Sequence, residues 1–412
     1  MTDTATGTGM EHLVPFDPYA YDFHEDPYPT YARLRDEAPV YYNAEMNFWA
    51  LAKHSDVRTG FRDSVNLSNA WGVSMDPSSY GPDAHKSMSF LAMDDPKHMR
   101  IRKLVSKGFT PRRVNDLTDR ITALTQQHWD RCLEMGEFDY VEDFAGLLPM
   151  DVVSELLGVP EADRAFLRQQ SDLLLHREEG VLDIPEAAVY AYIELHKYYT
   201  ELIAERRNNL GEDLVSALIA AEIDDDETGE KTSLTEDEIV GFMVLMVVAG
   251  NETTTKLLAN ALYWAWRNPA ELAKVIADED MVPDWTEETL RYDNSTQMAL
   301  RKVAADTTFG DITIPEGDRV LLLVGSANRD DEVFDNADRY QIGRDCSQAL
   351  MSFGMGTHFC LGAHLARLES NIGLSEVVRT IKSVDIDMDR AVRVHSVNVR
   401  GFAQLPVKVQ VR

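Results

Sequence analysis

The chain has 412 residues, 40 of them basic and 70 acidic, for a formal net charge of −30. That balance excludes a nucleic-acid partner, because phosphate backbones are bound by a basic face. With 44% hydrophobic and 9% aromatic residues there is ample material for a core, which excludes global disorder.

The three cysteines, Cys132, Cys346 and Cys360, form no Cys-x-x-Cys pair, which argues against a disulfide framework or a zinc cage and fits a reducing, cytoplasmic setting. The opening MTDTATGTGMEH lacks a basic region followed by an apolar run, so residues 1–14 are read as a flexible N-terminus rather than a signal peptide. No Pro/Gly/Ser-rich linker divides the chain, so one domain, 1–412, is expected.

In chain order, a short helix is expected over Pro29 to Glu37, strands over Val40 to Tyr42 and Phe48 to Leu51, and a second helix over Asp56 to Phe61. Residues 64–96 read as a long loop rich in Ser, Gly, Pro and Asp. Its apolar members, including Phe90 and Leu91, predict that it folds over something. Helices follow over His98 to Ser106, Arg112 to Met135, Met150 to Leu157, Glu161 to His176 and Glu186 to Asn209. Seven basic residues, Lys97, Arg100, Arg102, Lys103, Lys107, Arg112 and Arg113, form an island without Asp or Glu, a steering surface for an acidic partner.

After the acidic connection IDDDETGEKTSLTEDE, Thr235 and Glu238 make a capping box. It opens a helix running to Asn268 before Pro269, roughly 50 Å long. No apolar stretch reaches about 18 residues, so no stable membrane insertion is expected. Strands are expected near Thr313 to Ile314, Arg319 to Leu323 and Phe402 to Val411.

Two features carry chemistry. In FGMGTHFCLG, Cys360 follows a glycine-rich turn whose glycines, 354, 356 and 362, let backbone amides approach the sulfur. Such a cysteine is either a small buried hydrophobe or a thiolate offered to a metal. In AGNETTT, Ala249 to Thr255, a glycine beside hydroxyl residues is expected to loosen the helical ladder, or else the threonines bond back to the helix.

The first segment resembles the ligand loop of the cytochrome P-450 family, with Phe353, Gly356, Cys360 and Gly362 at the four fixed positions. Nearly the whole chain, from about Pro15, is similar to that family. The resemblance implies a mainly α fold with small β-sheets, a triangular haem domain with a long central oxygen-binding helix. It implies haem b (iron-protoporphyrin IX) with Cys360 as proximal metal ligand and Phe353 covering the loop. Glu252 and Thr253 match the acid and alcohol pair that serves oxygen activation. His98, Arg102, Arg301 and His358 are implied as partners of the haem carboxylates, which are costly to bury unpaired. Glu288 and Arg291 match the Glu-x-x-Arg pair, tied to a later arginine expected at Arg339; Asn336 and Ala337 stand where relatives often carry Asp-Pro.

The implied activity is a ferredoxin-dependent, soluble, bacterial-type monooxygenase. It hydroxylates a lipophilic molecule, such as a terpenoid, branched lipid or fatty acid, with dioxygen and electrons from an acidic iron-sulfur ferredoxin and its reductase. The pocket is expected at Phe90, Leu91, Val248, Ala249, Thr296, Met298 and Phe402. A peroxygenase, which typically replaces the acid and alcohol pair, and a haem sensor or carrier are the alternatives.

Overall fold

The computed structural model describes residues 14–178, 181–224, 231–346 and 348–412. The expected flexible residues 1–13 lie outside it, whereas Val14 is already in the core at 1% exposure, packed with Phe16. Among the described residues helices dominate, accompanied by five small sheets.

Val40–Asn43, Phe48–Leu51, Arg319–Leu322, Ala299–Val303 and Leu67–Ser68 lie in that order in the largest sheet. Arg319–Leu322 runs parallel to Phe48–Leu51 and antiparallel to Ala299–Val303, opposing Val320 to Arg301. This register fixes Arg301 inside the molecule.

The helix Glu236–Arg267 spans 32 residues, about 48 Å. The expected capping box closes it: Thr235 Oγ1 accepts from the Glu238 amide at 3.2 Å, and Glu238 Oε2 accepts from the Thr235 amide at 2.8 Å. It packs against the helices Leu147–Leu157, Arg164–Leu175, Glu186–Asn208 and Ala363–Thr380. Nearly all its apolar side chains join the main core cluster. Among the described residues no helix is long and apolar enough to cross a membrane.

The segment 64–96 carries the two-residue strand Leu67–Ser68 and otherwise only short helical pieces, and it lies over the long helix, with the Phe90 ring 6.1 Å from that of Phe242. Two elements differ from expectation. The helix expected over Arg112 to Met135 is two, Pro111–Asn115 and Thr118–Met135. The C-terminal strand is also two, because Pro406 has no amide to continue a ladder: Phe402–Gln404 pairs with Val392–Arg393, and Pro406–Val411 joins Ile381–Ile386 and Glu137–Asp139. The acidic connection forms a hairpin, Glu222–Asp224 with Lys231–Ser233, whose tip lies outside the described residues.

One buried anion ties the two ends together. Asp293, fully enclosed, accepts from Arg400 Nε at 2.7 Å, Tyr28 Oη at 2.6 Å and Trp264 Nε1 at 2.7 Å. Burial opposes its charge, yet Arg400 and Arg393 hold its carboxyl down at about 2.

Candidate active site

Cys360 stands at the entrance of the helix Ala363–Thr380, whose N-cap, Gly362, offers no side-chain acceptor. The first amides are therefore free, and those of Gly362 and Ala363 donate to the sulfur. The loop closes on itself through the Cys360 amide, which donates to the Phe353 carbonyl at 2.9 Å. Gly356 has φ +70°, and a Cβ there would lie 2.9 Å from the Phe61 carbonyl oxygen, so only glycine fits. At Gly362 an added Cβ meets nothing within 4 Å; the space beside the sulfur is open. Cys360 has exposed surface, while burial pushes its thiol pKa up against the opposing amides, Arg102 and Arg367.

Phe353 is half-buried beneath the Arg367 guanidinium, 4.4 Å from its ring centroid, and lies 6.4 Å from the Phe359 ring. Arg367 forks onto Glu287 at 2.5 and 3.0 Å. It is a second cation near the sulfur that sequence reasoning missed. One signal was available: residue 367 lies seven positions past Cys360, two turns along the helix that begins there.

Four basic side chains converge from three parts of the chain. His98, with no exposed surface, and His358 have ring centroids 4.0 Å apart. His98 Nδ1 meets Asp95 Oδ1 at 3.2 Å, but His98 Nε2 and His358 Nδ1 are buried without partners. Arg301, 4% exposed, donates to its neighbour's carbonyl, Leu300 O, at 2.7 Å; burial lowers its pKa to about 10, with Asp94 as the opposing charge. Arg102 donates to Phe359 O at 2.5 Å, fastening its helix to the cysteine loop. Burial, then His98, Arg301 and Arg102, push His358 down to about 3. Enclosed guanidinium groups of this kind call for acceptors, and the orphaned imidazole nitrogens become donors once their rings are protonated beside an anion. The two carboxylates of a haem, beside an open-faced thiol, fit the donor set.

The long helix runs unbroken through Ala249 to Thr255, so the ladder is not opened there and the threonines instead bond back to the helix. Thr253 Oγ1 donates to Ala249 O at 2.8 Å and Thr255 Oγ1 to Asn251 O at 2.9 Å, while Ser295 Oγ donates to Thr253 O at 2.6 Å. Ala249 is exposed in mid-helix, with Val248 and Thr253 partly so. That stripe is accessible although most of its neighbours on the helix are buried. Glu252 is 4% exposed and bonds Lys256 Nζ at 3.0 Å.

Glu288 and Arg291 are fully enclosed and paired by two contacts of 2.8 Å. Arg291 also donates to the carbonyls of Asn328, Ala337 and Arg339 at 3.0, 2.8 and 3.1 Å, and Glu288 accepts from the Gln341 amide at 2.7 Å. The later arginine is not Arg339, whose side chain is exposed, but Arg344, with Nε 3.3 Å from Glu288. Arg339 contributes its carbonyl to Arg291, three residues after Asn336 turns the chain at φ +52°.

Leu91 and Thr296 are partly exposed, and Phe90 is 7% exposed with its ring 5.9 Å from His98. Met298 and Phe402 differ from the pocket positions expected of them. Met298, 1% exposed, packs with Met75 and Tyr31. Phe402 has no exposed surface and is enclosed between Tyr263, 5.0 Å away, and Arg393, 4.1 Å away. Strand pairing of Phe402 with Arg393 turns its ring into the core.

The family model described as Cytochrome P450 matches residues 184–411. Cytochrome P450 123 of Mycobacterium tuberculosis is 58% identical over 396 residues, covering 96% of this chain and 97% of its own. Among solved structures, cytochrome P450 CYP109Q5 from Chondromyces apiculatus superposes with a TM-score of 0.85 at 32% identity, covering 97% of this chain and 99% of that one. CYP109E1 from Bacillus megaterium in complex with corticosterone gives 0.81 at 30%, covering 94% and 99%.

Proposed function

Since this chain belongs to the cytochrome P450 family, haem b monooxygenases, we propose that it hydroxylates a lipophilic small molecule, a terpenoid, branched lipid, fatty acid or steroid, with electrons from a ferredoxin. Bound haem supplies the reductive activation of dioxygen, one atom of which enters a C–H bond while the other leaves as water. In this reading Cys360 holds the iron and His98, Arg102, Arg301 and His358 hold the carboxylates. The amides of Gly362 and Ala363 and the cations Arg102 and Arg367 favour the anionic form of the sulfur, in opposition to burial. Thr253 keeps a hydroxyl at the open stripe, with Glu252 behind it as the acid.

The observation that carries the substrate class is that stripe. Its side chains are Val248 and Ala249, which offer a substrate apolar contact beside the one hydroxyl of Thr253. The B. megaterium neighbour's corticosterone is a molecule of this kind. Titrating the purified holoenzyme with steroids, terpenoids and fatty acids should displace iron-bound water with one class, seen as a Soret shift. A spectrum that no lipophile moves, with polar compounds moving it, overturns the assignment.

Support for the ferredoxin is electrostatic. Lys97, Lys103, Lys107, Arg112 and Arg113 are exposed on segments that Arg102 fastens to the cysteine loop, whereas Arg100 is taken up by Glu238 at 2.6 Å. Lys103→Glu with Arg112→Glu should slow reduction by an acidic ferredoxin and flatten its salt dependence; an unchanged rate refutes this docking face. The unpaired cysteines suit the cytoplasm.

A further inference from the structure

Glu252 lines a cleft of about 350 Å³ together with Asp172, Asn251, Thr255 and Lys256, while Ala249 and Thr253 do not. Two groups meet its carboxylate there. Lys256, one turn along the same helix and 4% exposed, places Nζ 3.0 Å from Oε2. Asp172, on the helix Arg164–Leu175, hydrogen-bonds the same carboxylate. A bond between two carboxyl groups needs a proton on one of them.

The surroundings decide which. Burial, then Glu252, push the Asp172 proton affinity up. Burial works against ionised Glu252 as well, but Lys256 and the Asp172 bond overcome it and hold its pKa below the usual value. Arg168 favours the ionised form of both. The other charged groups around the cleft face these two from Glu142, His176, Arg177, Arg393 and His395. Arg177 is committed to Asp76, at 3.0 and 2.9 Å.

The two carboxyl groups also differ in access: Asp172 keeps exposed surface in the cleft, and Glu252 is 4% exposed with Lys256 across it. Asp172 therefore offers Glu252 a proton from the more exposed side of the cleft through one direct hydrogen bond.

We propose that Asp172 is the outer member of a proton relay: its Oδ–H bond breaks as a proton passes to Glu252, and water in the cleft reprotonates the carboxylate left behind. Nothing is oxidised or reduced in this transfer. Reduction of one oxygen atom to water takes two electrons, from the redox partner, and two protons, which the relay carries. Asp172 touches no reacting atom and acts only through Glu252, so the inference rests on the reading of Glu252 as the acid beside Thr253.

The test uses the holoenzyme with dodecanoic acid as probe and three variants, Asp172→Asn, Asp172→Glu and Glu252→Gln. Asn can still donate a hydrogen bond to Glu252 but cannot pass a proton on. Hydrogen peroxide released per dioxygen consumed should rise about tenfold in Asp172→Asn and return to near the parent value in Asp172→Glu. The infrared spectrum at pH 7 should lose a neutral carboxyl band in Asp172→Asn whether or not the probe turns over. An unchanged peroxide ratio in Asp172→Asn, an equal rise in Asp172→Glu, or no band lost overturns the relay. If Glu252→Gln raises the ratio and Asp172→Asn does not, the relay alone fails; if Glu252→Gln leaves it unchanged, the reading of Glu252 fails first.

Discussion

Glu369 sits nine residues past Cys360 on the helix Ala363–Thr380, 2% exposed, with Oε2 lacking any hydrogen-bond partner. Burial alone raises its pKa from 4.5 to about 8. At about 1.4 kcal/mol per pH unit, a rise of that size corresponds to about 5 kcal/mol. Water penetration and local relaxation reduce this to about 2–3 kcal/mol. The sign follows from proton counting. Below pH 4.5 both folded and unfolded chains hold the proton; between 4.5 and 8 the unfolded chain releases it and the folded chain does not, so stability falls as pH rises through that window. Above 8 both are ionised and the loss is complete.

Glu369→Gln keeps the shape and removes the ionisation. Variant and parent should be about equally stable at pH 5, and the variant should gain about 2–3 kcal/mol on the parent by pH 8. Urea unfolding followed by circular dichroism at several pH values reads this difference, and the titrations common to both proteins cancel. A stability difference independent of pH refutes the argument that Glu369 is held neutral by burial.

Three further outcomes are expected. Gly356→Ala forces a Cβ against the Phe61 carbonyl at φ +70° and should cost about 1–3 kcal/mol, with loss of the thiolate-type carbon monoxide spectrum; Gly362→Ala, whose Cβ meets no protein atom, should leave the fold intact and weaken haem retention. Arg301→Leu should speed haem transfer to an acceptor protein about tenfold, read from Soret decay, because it removes one enclosed donor. Glu288→Ala strands the fully enclosed Arg291 charge and should lower stability by about 3–5 kcal/mol, seen as a fall in the unfolding midpoint.

The legible parts of this chain are those fixed by short-range chemistry. Periodicity and the Thr235 to Glu238 cap set the long helix to within a residue at its C-terminal end, and the glycine spacing around Cys360 stands in the structure as the positive φ of Gly354 and Gly356. Three features resisted reading because long-range packing decides them. Arg344 rather than Arg339 meets Glu288, a choice made by the path of the chain after Asn336 and by no local spacing. Phe402 is apolar and suits a pocket wall or a core equally; only its pairing opposite Arg393 chooses. The Asp172 to Glu252 contact joins residues on two helices, and no spacing rule links them.

The cap at Thr235 acts as an index mark for everything downstream on its helix. Each residue of an α-helix advances about 100° and 1.5 Å, so deleting or adding one position between Thr235 and Thr253 would swing the Thr253 hydroxyl about a quarter turn from the Ala249 face. That interval therefore tolerates substitutions but not changes in length. Length variation has to be absorbed before the cap.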